Sequence, residues 1–175
     1  ILVVTTKSMM RQFQQEFWNR FTIPLTRLDS VGIQRIRREI PANHNPFNYY
    51  DRTIISVDTL KRDSEYRHYL ESVWWDLIII DEAHNVSYKG NRTQSNRLAE
   101  LLSQRSDALV LLTATPHNGN KDSFASLVRM LDPARTPLLG SVRLRNCIFE
   151  LMSLSRGGGA SNETLSINKQ YFFGE

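Results

Sequence analysis

Leu77, Ile78, Ile79 and Ile80 run without a break into Asp81-Glu82-Ala83-His84. An apolar, β-branched run of this kind has no polar side to offer water, so it reads as a strand buried on both faces of a parallel sheet. Such a sheet opens to ligands at the carboxyl ends of its strands, where Asp81 and Glu82 would stand. Two adjacent carboxylates are costly to dehydrate for packing alone, whereas a divalent metal and a polarised water use both at once. Nucleotide hydrolysis is the chemistry suggested, and a solvated acidic turn at a strand end is the simpler alternative.

A second run narrows the choice. Residues 109–119 read LVLLTATPHNG, another apolar strand, ending in Thr113-Ala114-Thr115-Pro116. Roughly thirty residues of helix and loop between the two motifs suit neighbouring parallel strands joined by a right-handed crossover.

The remaining elements follow from period and punctuation. Residues 1–4 form a strand, and residues 5–7 turn it into a helix whose apolar face is Met10, Phe13, Phe17 and Phe21. The chain has no initiating Met and opens inside a strand, so its amino end reads as truncated. Residues 25–28 predict a short strand, and 31–40 a short basic helix. Residues 41–50, with two prolines and three asparagines, predict a loop. Residues 52–57 predict a strand carrying Ile54, Ile55 and Val57, with a short helix from Asp58 through Lys61. Residues 66–72 read as a surface helix leading to Trp74 and Trp75, both expected to pack. Residues 85–94 predict a surface loop and 97–102 the crossover helix, with Leu98, Leu101 and Leu102 inward. Phe124, Leu127, Val128 and Leu131 define a last amphipathic helix, ended by Asp132 and Pro133. Residues 156–162, RGGGASN, and the polar stretch after them lack apolar periodicity and read as a linker or disordered tail.

Composition removes other classes. With 41% hydrophobic and 23% charged residues the chain is an ordinary globular protein. No apolar run nears the ~18 residues a membrane span needs. The lone Cys147 excludes an internal disulfide and is compatible with a reducing cytosol. His and Cys show no zinc spacing, so a metal would be held by oxygens. The excess of Lys and Arg over Asp and Glu, 22 − 18 = 4, favours a polyanionic partner only weakly. Arg27, Arg35, Arg37 and Arg38 gather in one segment, either a nucleic-acid patch or a solvated face.

The DEAH and TATP pair resembles motifs II and III of the superfamily-two nucleic-acid helicases and translocases. The flanks, PANHNPFNYYDRTIISVDTLKRD and TATPHNGNKDSFASLVRMLDP, are similar to the Swi/Snf-related branch, near its bacterial RNA-polymerase-associated members. The likeness covers residue 1 to about 133 and implies an α/β, RecA-like parallel sheet with helices on both faces, a P-loop-type three-layer sandwich. On that basis residues 1–135 are a partial first RecA-like domain and 136–175 a divergent linker or tail.

The resemblance also implies roles. Asp81 would hold Mg²⁺, through water, and Glu82 would orient and deprotonate the water that attacks the γ-phosphate of ATP. His84 would relay the state of that phosphate to the coupling motif, Thr113, Ala114 and Thr115. Thr5, Thr6 and Lys7, with Ser8, match motif Ia, and Ser56, Asp58 and Thr59 match motif Ib, both on the nucleic-acid backbone. A plain helix cap is the alternative for residues 5–8 and for Asp58. DNA stands ahead of RNA as the track, RNA polymerase or another protein complex is an expected partner, and the setting is cytoplasmic.

None of the eight glycines belongs to GxxxxGK[ST], so the Lys and hydroxyl that cradle the β- and γ-phosphates are not in this chain. The implied function is therefore part of the motor of an ATP-dependent helicase or translocase, inactive alone. A non-catalytic RecA-like module that binds nucleic acid or protein is one alternative. A metal-dependent nuclease is another, though no Glu-x-Lys follows a strand here.

Overall fold

Each apolar segment of the chain is separated from the next by a stretch that contains a helix, which permits crossovers and excludes hairpins. In the computed structural model, which describes residues 1–41, 44–62, 64–114 and 121–132, the strands are β1 (Leu2–Thr5), β2 (Thr26–Arg27), β3 (Thr53–Ser56), β4 (Trp75–Ile80) and β5 (Ser106–Leu111). All pair in parallel in the order β2-β3-β1-β4-β5. By its internal contacts the chain divides after Leu131. The expected linker and tail lie outside the described residues.

Strand alternation sends successive side chains to opposite faces. Leu2, Val4, Ile55, Ile78 and Ile80 build the larger core on one face. It is covered by α2 (Ser30–Glu39), α3 (Pro46–Tyr49), α4 (Val57–Arg62), α5 (Ser64–Glu71), α6 (Gln94–Ser103) and α7 (Lys121–Leu131), through side chains such as Ile33, Phe47, Leu60, Leu70, Leu102 and Leu127. Val3 and Ile54 face the other way, against Met10 of α1 (Met10–Phe21). The expected sheet with helices on both faces is what the chain forms, with unequal covering.

That inequality corrects the reading of residues 77–80. Ile78 and Ile80 are buried, but Leu77 and Ile79 are only half-buried. The core that α1 forms on this side is built on Val3 of β1 and Ile54 of β3, with Ile79 only at its margin. On β5, Val110 and Leu112 are each 39% exposed. The α1 stripe is shorter than its period suggests: Met10 is buried, whereas Phe21, in the last turn, packs edge-on against Phe17 and is largely exposed.

Three further expectations change. Trp75 is buried edge-on against Phe47, but Trp74 points outward and donates its indole N–H to Asp107 at 2.8 Å. Residues 85–94 are not simply a surface loop, because Val86 and Ser87 are buried behind a 3-10 turn, Ala83–Asn85. The segment 41–50 holds α3, which Asn45 makes possible. Its carbonyl accepts from Phe47 N at 2.9 Å, and its amide donates to the Tyr69 carbonyl at 2.8 Å and to Ser72 Oγ at 2.9 Å. Asn45→Ala is expected to cost about 1–2 kcal/mol, read as a lower urea midpoint at unchanged slope. Asn45→Asp keeps the cap but sets a carboxylate oxygen against the Tyr69 carbonyl, so it should cost at least as much as Asn45→Ala.

Candidate functional site

The carboxyl ends of three neighbouring strands are stitched together by the main chain. Asp81 N donates to the Val4 carbonyl at 2.8 Å, Leu112 N to Ile80 at 2.8 Å, and Ala83 N to Leu112 at 2.9 Å. Since Ile80 is in register with Val4 on one side and Leu111 on the other, the residues that follow share one edge. Asp81, Glu82, His84 and Thr113 are thus brought together by sheet register.

Each of these side chains has a defined setting. The Asp81 carboxylate accepts from Thr5 Oγ1 at 2.7 Å through Oδ2. Among the described residues nothing bonds to its Oδ1. Glu82 adopts φ 50° and ψ 47°, a left-handed conformation that costs a non-glycine residue about 1–2 kcal/mol. This turn breaks the strand's alternation and separates the bearings of the two carboxylates. The Glu82 side chain stays 40% exposed, with Oε2 3.1 Å from His84 Nδ1. The same ring nitrogen lies 3.2 Å from Thr113 Oγ1. The hydrogen bond of this nitrogen is the one to Thr113, and the Glu82 carboxylate is a close neighbour beside it.

The residues expected on a nucleic-acid backbone divide. Thr6 is half-buried and Lys7 and Ser8 are exposed, in the turn before α1, and Thr6 Oγ1 meets Ser8 Oγ at 3.1 Å. No side chain caps α1, which removes the plain-cap alternative for residues 5–8. Thr5 and Ser56 are each 1% exposed, as partners in the last pair between β1 and β3, so neither presents its side chain to a phosphate. Ser56 instead caps α4, its Oγ accepting from Thr59 N at 3.1 Å and meeting Thr59 Oγ1 at 2.8 Å. The cap considered for Asp58 therefore belongs to Ser56, and Asp58 is exposed and pairs with Lys61 Nζ at 3.1 Å. Arg27, Arg35 and Arg37 meet Asp29, Glu39 and Tyr69 within the fold. Ala114 is exposed, and Thr115 lies outside the described residues.

A profile of the SNF2-related domain matches residues 1–138. The chain belongs to the SNF2-related family. The RNA polymerase-associated protein RapA of Yersinia pestis (strain Pestoides F) is 28% identical over 136 residues, 77% of this chain and 14% of that protein. RapA of Sodalis glossinidius (strain morsitans) is 27% identical over 136 residues, again 14% of its length. The chain thus spans a small part of the curated relatives it matches. The SWI2/SNF2 ATPase core of Sulfolobus solfataricus, solved in complex with dsDNA, aligns with a TM-score of 0.55 at 24% identity, over 97% of this chain and 31% of that one. At that identity the likeness is one of fold, and it makes the sheet RecA-like.

In this SNF2-related domain the DEAH turn is also braced from behind, by residues that apolar periodicity could not reveal. Ser87 Oγ donates to the His84 carbonyl at 2.8 Å and meets Ser123 Oγ of α7 at 2.6 Å, which leaves Ser123 as the donor between the two serines. Ser126 Oγ donates to the Ser123 carbonyl at 2.7 Å and accepts from Tyr88 N at 2.8 Å, while Asn96 Nδ2 of α6 donates to the Val86 carbonyl at 3.1 Å. The buried face of α7 is consequently rotated toward Ser123, Ser126 and Met130, and Leu131 is 38% exposed rather than inward.

The donor set at this edge is sparse. Among the described residues no three His, Cys, Asp or Glu side chains stand close enough to enclose an ion. One open carboxylate oxygen on Asp81 and the neighbouring Glu82 match Mg²⁺, which keeps several waters and takes one or two carboxylates beside substrate phosphates. Also among the described residues, no helix is long and apolar enough to cross a membrane.

Proposed function

We propose that this SNF2-related domain is part of the motor of an ATP-dependent helicase or translocase, in which ATP hydrolysis drives movement on DNA. The observation that carries the reading is the junction at the tips of β4 and β5, where Asp81, Glu82, His84 and Thr113 meet at one open edge, with His84 Nδ1 3.2 Å from Thr113 Oγ1. Asp81 would hold Mg²⁺. When bound, the ion neutralises charge on the phosphate oxygens. Glu82 orients the attacking water and takes its proton, because its side chain is partly open to solvent and its bearing differs from that of Asp81. His84 couples the two strands: a shift of Glu82 reaches Thr113 through one ring nitrogen. Thr6 and Lys7, in the turn between β1 and α1, lie along the nucleic-acid backbone, where polar and cationic groups position without reading bases. Asp58, whose carboxylate only accepts, and Thr59, engaged by Ser56, are not assigned to it.

The phosphate-cradling Lys and hydroxyl must come from sequence other than these 175 residues, since no GxxxxGK[ST] is present. The chain alone is therefore inert. The dsDNA bound by the Sulfolobus solfataricus core and the name of RapA support duplex DNA as the track and RNA polymerase as a protein partner. The test is steady-state ATP turnover with and without duplex DNA. The full-length protein containing this chain is expected to hydrolyse ATP faster when DNA is added, and the isolated chain not at all. Turnover that ignores DNA, or turnover by the isolated chain, would contradict the proposal.

A further inference from the structure

We infer that Thr5 is a positioning residue for the metal-side carboxylate: its buried hydroxyl fixes Asp81 so that a single oxygen, Oδ1, is offered to a divalent cation. The inference deepens the proposed reading of this edge and rests on it.

The residues of β1 hold Asp81 twice. Val4 takes its main-chain N–H at 2.8 Å, and the next residue, Thr5, donates Oγ1–H to Oδ2 at 2.7 Å. The direction of the second bond is forced, because an ionised carboxylate only accepts. Hydrogen bonds to a charged acceptor are the stronger class, and this one forms where Thr5 is 1% exposed and water is a poor competitor. A β-branched side chain in a strand has few rotamers to lose, so the donor is held in place before any ligand arrives. Ser56, the β3 partner of Thr5 in register, directs its own hydroxyl to α4 instead. The two buried hydroxyls at this sheet edge thus serve different ends, and the one on β1 serves the carboxylate.

The consequence is a carboxylate held in one orientation, with one oxygen that has no protein partner among the described residues. With Thr5 on Oδ2, Oδ1 is the oxygen left to face the cation or a water on it, which suits the water-rich sphere of Mg²⁺. A partner that orients a metal-binding carboxylate in this way commonly accounts for a 10- to 100-fold difference in metal affinity.

The experiment measures Mn²⁺ binding, by the electron paramagnetic resonance of the free ion, to the full-length protein carrying a non-hydrolysable ATP analogue. Thr5→Val, which keeps the shape and removes the donor, should weaken Mn²⁺ about 10- to 100-fold. Thr5→Ser, which keeps the donor and loses a buried methyl, should bind Mn²⁺ as the parent does. Parent-like affinity in Thr5→Val overturns the inference, and so does weakened affinity in Thr5→Ser, an arm that remains decisive should Thr5→Val not fold. Asp81→Asn separates this from the underlying reading. If Asp81→Asn retains full Mn²⁺ affinity, the metal assignment at this edge fails. If it loses affinity while Thr5→Val does not, only the role of Thr5 fails.

Discussion

Replacing Glu82 with Gln in the full-length protein is expected to leave ATP binding intact and to lower turnover by about 10²- to 10⁴-fold, the usual contribution of a general base. The amide copies the shape of the carboxylate but cannot take a proton. Folding should tolerate the change, because the side chain is 40% exposed and the left-handed backbone at this position is kept. Asp81 does not substitute in the proposed reading, because its open oxygen is the one assigned to the metal side. The check is paired: equilibrium binding of a fluorescent ATP analogue, then single-turnover hydrolysis. Hydrolysis at the parental rate would remove Glu82 from the role of base, and loss of binding would mean that its charge organises the site rather than the chemistry.

The second large effect is on stability. Ile78→Ala is expected to destabilise the chain by about 2–5 kcal/mol, a large share of the ~5–15 kcal/mol that holds a domain folded. Ile78 is fully buried, in register with Leu2 on β1 and with Leu109 on β5, in the main core. The surrounding strands are fixed on both sides and can collapse only partly into the space left. On the neighbouring edge strand, Val110→Ala at 39% exposure should stay within about 0.5 kcal/mol. Urea unfolding of the two variants beside the parent measures the contrast. Equal losses would mean that the sheet face carrying Val110 is covered in solution.

How much of this was legible in the sequence varies with what writes each feature. β4 and β5 were readable because an apolar run that ends in charge or in Thr-Ala-Thr is a local pattern, and their adjacency followed from the crossover length. The same pattern overstated burial, since Leu77 and Ile79 look like Ile78 and Ile80 in the sequence and differ only in whether a helix lies above them. Hydroxyl directions were not legible at all. The resemblance to motifs Ia and Ib put Thr5 and Ser56 on the nucleic-acid backbone, yet the register between β1 and β3 closes over both. The brace through Ser87, Ser123 and Ser126 was hidden for a related reason: a buried serine leaves no apolar signal, and its partner is 36 residues away. Asn45 and Asn48 gave a loop reading for residues 41–50, because a cap and a turn share the same residue types until the bond from Phe47 N is seen.

The central claim is that the tips of β4 and β5 form one wall of a triphosphate site. It is tested most directly by a crystal structure of the full-length protein with Mg²⁺ and a non-hydrolysable ATP analogue. The account predicts the ion within one water of Asp81 and the γ-phosphate facing Glu82, with His84 still in contact with Thr113. A nucleotide bound at another edge of the sheet, with Asp81 and Glu82 facing only solvent, would contradict it.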